Sequence, residues 1–401
     1  MEIKKGYKMT DVGVIPEDWE VKSIGEMYSF KNGLNKDKDS FGFGTPIINY
    51  MDVYKNNGLT SKCIKGKVSL SDYEISYFLV KKGDVFFTRT SETPEEVGIA
   101  SVLLDELPKG VFSGFLLRAR PNGNDIEPLL CKYIFTTESF RSSVIQNSTY
   151  TTRALTNGAI LSSLYVAFPK SIVEQQAIAD ALTKVDKLIT SLTKVIEKKK
   201  LIKKGAMQKL LSGEMRLDGF EGEWIKIKLG DISSIKTGSR NVEEHSANGK
   251  YPFFVRSKEV MKINTFSYDE EAILVPGEGG IGEIFHYVNG KFDVHQRVYK
   301  ISDFNDKVNA LFIYWYMIIF FGEYAKENTV KATVDSLRLP TFTDFICCLP
   351  PTKAEQTAIA KVLTTMDDEI EALEKERDKY KCIKQGMMQQ LLTGKIRLIC
   401  Q

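Results

Sequence analysis

Two stretches of the chain place apolar residues at alternating spacings of four and three. The apolar positions are Ile178, Leu182, Val185, Ile189, Leu192 and Ile196 in the first stretch, and Ile359, Leu363, Met366, Ile370 and Leu373 in the second. This heptad spacing is typical of a long helix that packs along another helix. We therefore predict that these residues form a helix–helix interface.

Boundary signals flank both stretches. Pro169 precedes the first and Pro350 the second, and neither stretch contains proline. Gly213 and Gly394 follow them, where a helix commonly ends on a glycine in the left-handed conformation. The pattern predicts a long helix in each of the segments 172–213 and 352–401. If each helix ends near its glycine, it has about 40 residues and is roughly 60 Å long.

A helix of this length cannot bury its apolar positions alone, so each needs a partner. The first helix is basic towards its end, with Lys198, Lys199, Lys200, Lys203 and Lys204. The second is acidic near its start, with Asp367, Asp368, Glu369, Glu371 and Glu374. Only an antiparallel pair brings these opposite charges side by side. The alternative is that each amphipathic helix docks on its own domain.

An internal repeat sets the overall architecture. Residues 205–217 recur at 386–398, an offset of 181, and the same offset relates Glu174-Gln175 to Glu355-Gln356. The regions 1–171 and 214–351 also begin alike, but Trp19 and Trp224 are 205 positions apart. The second region is therefore 24 residues shorter. We predict one domain scaffold, used twice, with two different interiors.

Both domains have the pattern of a mixed α/β (α+β) fold. Predicted strands cover 84–88, 272–275 and 297–301, predicted helices cover 129–140 and 309–325, and turns are expected at Asn56-Asn57-Gly58 and Asn289-Gly290. The apolar run 311–321 is too short for a membrane-spanning helix, which needs about 20 residues. We therefore expect it to be a buried helix.

The amino-acid composition limits which classes of protein remain possible. The 401 residues carry a net charge of +3, which permits a polyanionic partner without requiring one. Six cysteines without a CxxC pair and only three histidines offer little for a metal site. The first residues lead into no apolar segment, so we expect no signal peptide, no membrane association and a cytoplasmic location.

One glycine-rich motif could suggest a cofactor. Residues 277–282 fit GxGxxG after a strand, but residues 283–290 have the pattern of another strand rather than the helix that a dinucleotide site requires. A turn that brings backbone amides close to a ligand or phosphate fits better. No serine, cysteine or histidine lies in a recognisable nucleophile motif, so we expect neither a catalytic residue nor a cofactor or metal bound by this chain.

Polar and basic loops occur in both domains. Arginine, lysine, asparagine, glutamine and short hydroxyl side chains suit phosphate contacts and hydrogen bonds to base edges; the alternative for any one loop is a solvated surface. We predict DNA contacts from Lys31, Asn32, Asn35, Lys36, Arg89, Thr90, Ser91 and Arg153 in the first domain, and from Lys236, Ser239, Arg240, Asn241, Arg256, Ser257, Lys258, Gly279, Gly280, His295, Gln296 and Arg297 in the second.

The repeated motifs carry a family resemblance. The segments 15–19, 174–179 and 207–213, each with a counterpart in the second half, resemble the specificity subunit of a type I restriction–modification enzyme. The resemblance spans essentially the whole chain. It implies two target recognition domains, 1–171 and 214–351, held apart by the antiparallel helices, with each domain recognising one half of a split double-stranded DNA site in the major groove.

The same resemblance implies the division of labour in a larger complex. The helices would set the spacer and dock two modification subunits, which would use S-adenosylmethionine to methylate an adenine flipped out of the duplex. Restriction subunits would add translocation driven by ATP, and cleavage, with Mg²⁺ on the partner subunits. Two alternatives remain: a coiled-coil scaffold that joins two protein-binding domains, and an enzyme that acts alone through the glycine-rich loop.

Overall fold

Two long helices dominate the computed structural model, which describes residues 5–329 and 336–398. They run over Ile172–Ser212 and Lys353–Leu391, so the heptad pattern correctly predicted that both exist. The segment 352–401 assigned to the second helix was too long, because the helix ends at Leu391 and the chain turns at Gly394; residues 399–401 lie outside the described residues. Gly213 and Gly394 follow them with φ of +76° and +70°, the left-handed conformation expected of a closing glycine. A Cβ atom on Gly394 would lie 2.4 Å from Cδ of Pro16, so only glycine allows this close approach.

In chain order the two long helices are α7 and α11, and all other elements are shorter. Up to the end of the first long helix the order is β1 (Tyr7–Thr10), β2 (Gly13–Pro16), β3 (Trp19–Ser23), α1 (Ile24–Met27), β4 (Tyr28–Asn32), β5 (Phe41–Ile48), α2 (Tyr50–Lys55), β6 (Gly58–Leu59), β7 (Lys67–Val68), α3 (Asp72–Phe78), β8 (Val85–Thr88), β9 (Thr90–Ser91), β10 (Ala100–Leu103), β11 (Val111–Phe112), β12 (Leu116–Pro121), α4 (Pro128–Ile134), α5 (Glu138–Asn147), β13 (Thr149–Tyr150), β14 (Ala154–Leu155), α6 (Gly158–Ser162), β15 (Tyr165–Pro169) and α7 (Ile172–Ser212). The order then continues with β16 (Ile225–Lys228), α8 (Leu229–Ile232), β17 (Ser234–Thr237), β18 (Tyr251–Phe254), β19 (Met261–Ile263), β20 (Tyr268–Pro276), β21 (His286–Val294), β22 (Val298–Ser302), α9 (Ala310–Glu327), α10 (Leu339–Thr343), β23 (Ile346–Leu349) and α11 (Lys353–Leu391).

Each domain is built on one main sheet. In the first domain a five-stranded sheet has the order β4-β12-β8-β10-β6, and a three-stranded sheet has the order β11-β5-β7. In the second domain a six-stranded sheet has the order β17-β22-β20-β21-β18-β19. Buried aromatic side chains fill the cores, Phe87 and Phe135 in the first and Phe312 and Phe321 in the second. The predicted mixed α/β class is confirmed.

Two local predictions were wrong. The predicted helix 129–140 is divided into α4 and α5, because the chain leaves the helix at Phe135 and starts again after Thr137. The expected turn at Asn289-Gly290 lies inside β21, where both residues pair with β20. The apolar run 311–321 does lie within a largely buried helix, α9. Among the described residues, no helix combines the length and apolarity needed to cross a membrane.

The chain folds as two units whose boundary cuts through both long helices. One unit contains Met1–Ser191 and Arg377–Gln401, and the other contains Leu192–Glu376. Both units therefore consist of a domain with a segment of each long helix. The division predicted from sequence, in contrast, kept each helix whole.

Ion pairs show the relative direction of the helices within each unit. In the second unit Lys199 lies 2.6 Å from Glu369, and Lys203 pairs with Asp367. In the first unit Lys384 lies 2.6 Å from Asp186, and Arg397, just beyond the end of the second helix, lies 2.6 Å from Glu174. As the residue number rises on one helix it falls on the other, so the segments are antiparallel, as their charges predicted. Lys199 and Glu369 are 40% and 54% exposed, so an ion pair of this kind contributes only about 0–1 kcal/mol to stability.

The predicted apolar interface is buried most deeply towards the domains. Buried members are Ile178, Leu182, Ile196, Ile359, Leu363 and Ile370, and half-buried members are Val185, Ile189, Leu192, Met366 and Leu373. Ile178 and Leu182 join the core of the first domain together with Leu391 at the end of the other helix and Leu392 just after it. Thus the helices pack on each other and on the domain cores, and the two arrangements considered from sequence coexist.

The repeated glutamines fix the chain where each long helix begins. Nε2 of Gln175 donates to the carbonyl oxygen of Pro169 at 2.8 Å, and Nε2 of Gln356 donates to that of Pro350 at 3.1 Å. Both glutamines are buried. These bonds give the repeated Glu-Gln motif a structural purpose, because they join the last strand of each domain to the helix that follows.

Candidate nucleic-acid interface

Four polar loops of the second domain come together where four strands of its six-stranded sheet end. Strand pairing aligns Thr237 with Tyr299, Pro276 with Val298, and Phe254 with Val294. The ends of β17 and β20 therefore lie beside the start of β22, and the end of β18 lies beside the end of β21. The three-residue connection 295–297 between β21 and β22 brings these two groups of strand ends together. We call the loops 238–241, 255–258, 277–282 and 295–297 the second loop edge.

Most of the second-domain residues predicted to contact DNA lie on this edge. They are Ser239, Arg240, Asn241, Arg256, Ser257, Lys258, Gly279, Gly280, His295, Gln296 and Arg297. Lys236 instead lies on β17 itself, where it is exposed. Strand pairing thus brings together residues that lie up to 58 positions apart in sequence, from Ser239 to Arg297.

Two of these arginines share one carboxylate. Nη1 of Arg297 lies 2.5 Å from Oε1 of Glu278, and Nη1 of Arg256 lies 3.3 Å from Oε2 of the same residue. The arginine side chains are 57% and 48% exposed, whereas that of Glu278 is 21% exposed. Glu278 was not among the residues predicted from sequence to contact DNA. Its position inside the glycine-rich turn, which lies along the sequence between two basic loops, could have identified it.

Arg240 is held differently. Its Nε donates to Oδ2 of Asp293 at 2.9 Å and its Nη1 donates to Glu244 at 3.0 Å. Its Nη2 also lies near the hydroxyls of Thr265 and Ser267, at 3.3 and 3.4 Å. Asp293 is fully buried. Since this guanidinium neutralises a buried carboxylate, we infer a structural role for Arg240 in the loop edge.

His295 is buried beneath the arginine loop. Its Nδ1 accepts a hydrogen bond from the backbone N–H of Arg297 at 3.0 Å. Burial, together with the nearby charges of Arg256 and Arg297, lowers the pKa of His295 below its usual value. The imidazole is therefore neutral near pH 7 and supports the backbone at Arg297.

The first domain presents an equivalent edge. Pairing aligns Asn32 with Leu117 and Thr88 with Leu116, so β4 and β8 end where β12 begins. We call the loops 33–36, 89–91, 113–115 and 151–153 the first loop edge. Arg153 joins it because β14, which starts at the next residue, pairs with β9.

The predicted residues of the first domain are less uniform. Asn32 ends β4, Asn35 and Lys36 follow in the loop, and Arg89 precedes β9, which contains Thr90 and Ser91. Lys31 lies on β4 and its Nζ donates to the carbonyl oxygen of Tyr77 at 2.6 Å, while Lys36 pairs with Glu74 at 2.7 Å. Both lysines are thus held against α3. Within the described part of the chain, the Arg89 guanidinium has no hydrogen-bond or ion-pair partner.

A cavity opens on the first loop edge. It has a volume of about 430 Å³ and brings together three of the predicted residues with aromatic and acidic neighbours. Its lining is Tyr50, Met51, Tyr54, Thr90, Ser91, Glu92, Glu96, Phe115 and Arg153. Phe115, which sequence reasoning missed, is 61% exposed. An exposed aromatic ring beside an arginine can contact the apolar and π surfaces of a base.

The two edges share one backbone frame. An added Cβ on Gly33 would lie 2.1 Å from the carbonyl oxygen of Ser113, and one on Gly238 would lie 2.1 Å from that of Val294. The backbone N–H of Arg89 donates to Phe115, and that of Gly277 donates to Arg297, at 3.1 and 2.9 Å. Phe115 and Arg297 therefore occupy equivalent positions in the two domains, although one side chain is an aromatic ring and the other is a charged guanidinium.

Nothing in the described ranges resembles a metal centre, since no three histidine, cysteine, aspartate or glutamate side chains are grouped to hold an ion there. The glycine-rich turn is followed by strand β21 rather than by a helix, as predicted. The loop edges are the most distinctive polar features that the two domains have in common. They define a protein with two related but chemically different surfaces for recognition.

Comparison with known proteins identifies the class. Residues 16–203 and 221–379 match the family described as type I restriction modification DNA specificity domain, and the chain belongs to that family. It is a specificity subunit of a type I restriction–modification system and recognises DNA sequence. The family resemblance found in the repeated motifs is thereby confirmed.

Individual relatives agree with this assignment. The chain is 27% identical to a putative type I restriction enzyme MjaX specificity subunit of Methanocaldococcus jannaschii, over 98% of this chain and 97% of the relative. It is 31% identical to the type I restriction enzyme EcoDI specificity subunit of Escherichia coli, over 43% of this chain and 37% of that protein. The crystal structure of the type I restriction–modification S subunit from M. genitalium has the same fold, with a TM-score of 0.65, 16% identity and 98% coverage of both chains.

Proposed function

We propose that each domain recognises one half of a bipartite double-stranded DNA site through its loop edge. The observation that carries this proposal is the shared backbone frame with different side chains, above all Phe115 in place of Arg297. A common frame suits two equivalent approaches to a duplex, and different side chains suit two different half-sites. Arginines contact phosphates or guanine edges, and apolar side chains contact thymine methyl groups.

The long helices set the spacing between the half-sites and dock two modification subunits in this proposal. On the part of α7 that belongs to the second unit, Val195 and Ile202 lie seven positions apart and are 43% and 51% exposed. Apolar residues at this spacing form one stripe along a helix. Such a stripe supports an interface with another protein subunit.

Catalysis belongs to partner subunits in the same proposal. The modification subunits use S-adenosylmethionine, and restriction subunits use ATP and Mg²⁺, while this chain is not an enzyme and works in the cytoplasm. Family membership supports this division, since the family is defined by DNA specificity. A solved structure that shares the fold, with a TM-score of 0.53 and 15% identity, has a title that concerns complex assembly and conformational transition of the type I system.

A paired insertion in the helices tests the spacing role. Seven residues added near Thr193 and seven near Arg377 preserve the heptad phase and lengthen each helix by about 10 Å, or roughly three base pairs. Methylome sequencing of a host that carries the chain and its modification subunit should reveal unchanged half-sites with a longer spacer. Changed half-sites with the original spacer would contradict the proposal. The absence of any sequence-selective methylation by the wild type would favour the scaffold alternative.

A further inference from the structure

Glu278 is an acidic side chain that joins two basic loops of the second loop edge, through Arg256 and Arg297. We propose that it is a positioning residue, which orients Arg256 and Arg297 so that they recognise a guanine in one half of the DNA site. This inference rests on the proposed function and adds to it a base type, a domain and a residue. Glu278 itself need not touch DNA.

The backbone around Glu278 is fixed on both sides. The N–H of Gly277 donates to the carbonyl oxygen of Arg297 at 2.9 Å, and the N–H of Leu337 donates to that of Gly277 at 2.8 Å. Gly279 and Gly280 then turn the chain with φ of +69° and +65°, which L side chains rarely adopt. The carboxylate is thus presented from a defined position rather than from a freely moving loop.

The single carboxylate of Glu278 leaves part of each guanidinium group able to bind a ligand. One carboxylate faces two guanidinium groups, so the cluster keeps an excess positive charge at an exposed edge. The short contacts to Glu278 use Nη1 of each arginine. A guanidinium has five N–H donors in a rigid fork, so Nε and Nη2 remain to donate. Two parallel donors of this kind match O6 and N7 of guanine in the major groove.

The first loop edge lacks this arrangement. Gly277 and Arg297 are related by the same backbone hydrogen bond that relates Arg89 and Phe115. Thr90, which follows Arg89, therefore stands where the second domain has Glu278. Because neither a carboxylate nor an arginine occurs at the matching places, the effect of Glu278 should be confined to one half-site.

The test compares Glu278→Gln with Glu283→Gln in the full chain assembled with its modification subunit. Glu283 is an ideal matched control, since it lies on the same loop segment and is exposed, but it pairs with Lys326 on α9 at 3.4 Å. Both changes remove one negative charge and keep the side-chain shape. Non-specific DNA affinity should therefore rise equally in the two variants. Arg297→Lys serves as a third variant, because it keeps the charge but loses the fork.

Methylome sequencing and binding to a duplex with the wild-type site provide the measurements. We expect Glu278→Gln and Arg297→Lys to relax the same guanine position in one half-site, with roughly a tenfold loss of discrimination there. Glu283→Gln should keep the wild-type motif. Thermal unfolding of each assembled variant identifies any loss of discrimination that comes from unfolding.

Several results would overturn the inference. Equal motifs for Glu278→Gln and Glu283→Gln would remove the positioning role, and relaxation at an A·T pair would remove the guanine assignment. Relaxation in both half-sites would contradict its restriction to the second domain. If the wild-type complex itself showed no sequence preference, the proposed function would fail, which is a different outcome from a failure of Glu278 alone.

Discussion

Arg397 donates to both carboxylate oxygens of Glu174, with distances of 2.6 Å from Nε and 2.7 Å from Nη2. Arg216 makes the same two-bond contact with Glu355 in the other unit, at 2.9 and 2.6 Å. The two pairs are related by the repeat offset of 181. In each, the arginine follows the end of one long helix and the glutamate lies near the start of the other. This contact explains why both residues recur.

Removal of Arg397 should strongly destabilise the first unit. Glu174 is 3% exposed, and a buried carboxylate without its partner costs roughly 3 kcal/mol. Arg397→Ala should therefore lower the free energy of unfolding, measured by chemical denaturation. Arg397→Lys should recover part of the loss, because lysine keeps the charge without the second bond. A fall of less than about 0.5 kcal/mol for Arg397→Ala, the range of ordinary surface changes, would show that Glu174 finds another partner.

Arg89 and Arg240 should behave differently when each is replaced by glutamine. Arg240 neutralises the buried Asp293, so Arg240→Gln should destabilise the second domain by roughly 3 kcal/mol. The Arg89 guanidinium has no hydrogen-bond or ion-pair partner among the described residues, so Arg89→Gln should leave stability within about 0.5 kcal/mol.

DNA binding separates the same two variants further. If Arg89 contacts a phosphate, its loss should reduce the salt slope of binding by about 0.9; a base contact should instead change sequence preference. The measurements are thermal unfolding and DNA titration at several salt concentrations. Unchanged DNA binding by a folded Arg89→Gln variant would remove Arg89 from the interface.

His295 should make stability depend on pH. Its pKa is lowered in the folded state, mainly by burial, so its unfolded state takes up a proton more readily. Neutral His295 makes its full contribution to the free energy of unfolding at pH values above the ordinary histidine pKa. This contribution is lost as the pH falls below that pKa. His295→Asn keeps an acceptor for the N–H of Arg297 but cannot titrate. Between about pH 7 and about pH 5 the variant should lose less stability than the wild type. Equal losses would exclude His295 as the cause.

The fold could be predicted from sequence where the pattern is local. Heptad spacing, flanking prolines and closing glycines identified α7 and α11, because these signals lie within each helix. The break between α4 and α5 was missed, since no proline or glycine marks Phe135 to Thr137. The position of Asn289-Gly290 inside β21 depends on pairing with β20, which outweighs the usual preference of these residues for turns.

The loop edges could be predicted only in part. Residue type correctly selected basic loops that follow strands, and strand pairing then brought them to common edges. Which arginines are already bound to carboxylates depends on partners distant in sequence: Asp293 lies 53 positions from Arg240, and Glu278 lies 19 positions from Arg297. Phe115 carries no sequence signal of its own, because its exposure follows from the turn between β11 and β12.

The division of the chain into units also sets an order for biosynthesis. The unit of residues 192–376 is complete once Glu376 has left the ribosome. The other unit contains the domain made first, yet its core includes Leu391 and Leu392 and its buried Glu174 needs Arg397. The domain translated first is therefore the last to be completed. Until then, its unfilled apolar surface is a place where a nascent chain would need protection from aggregation.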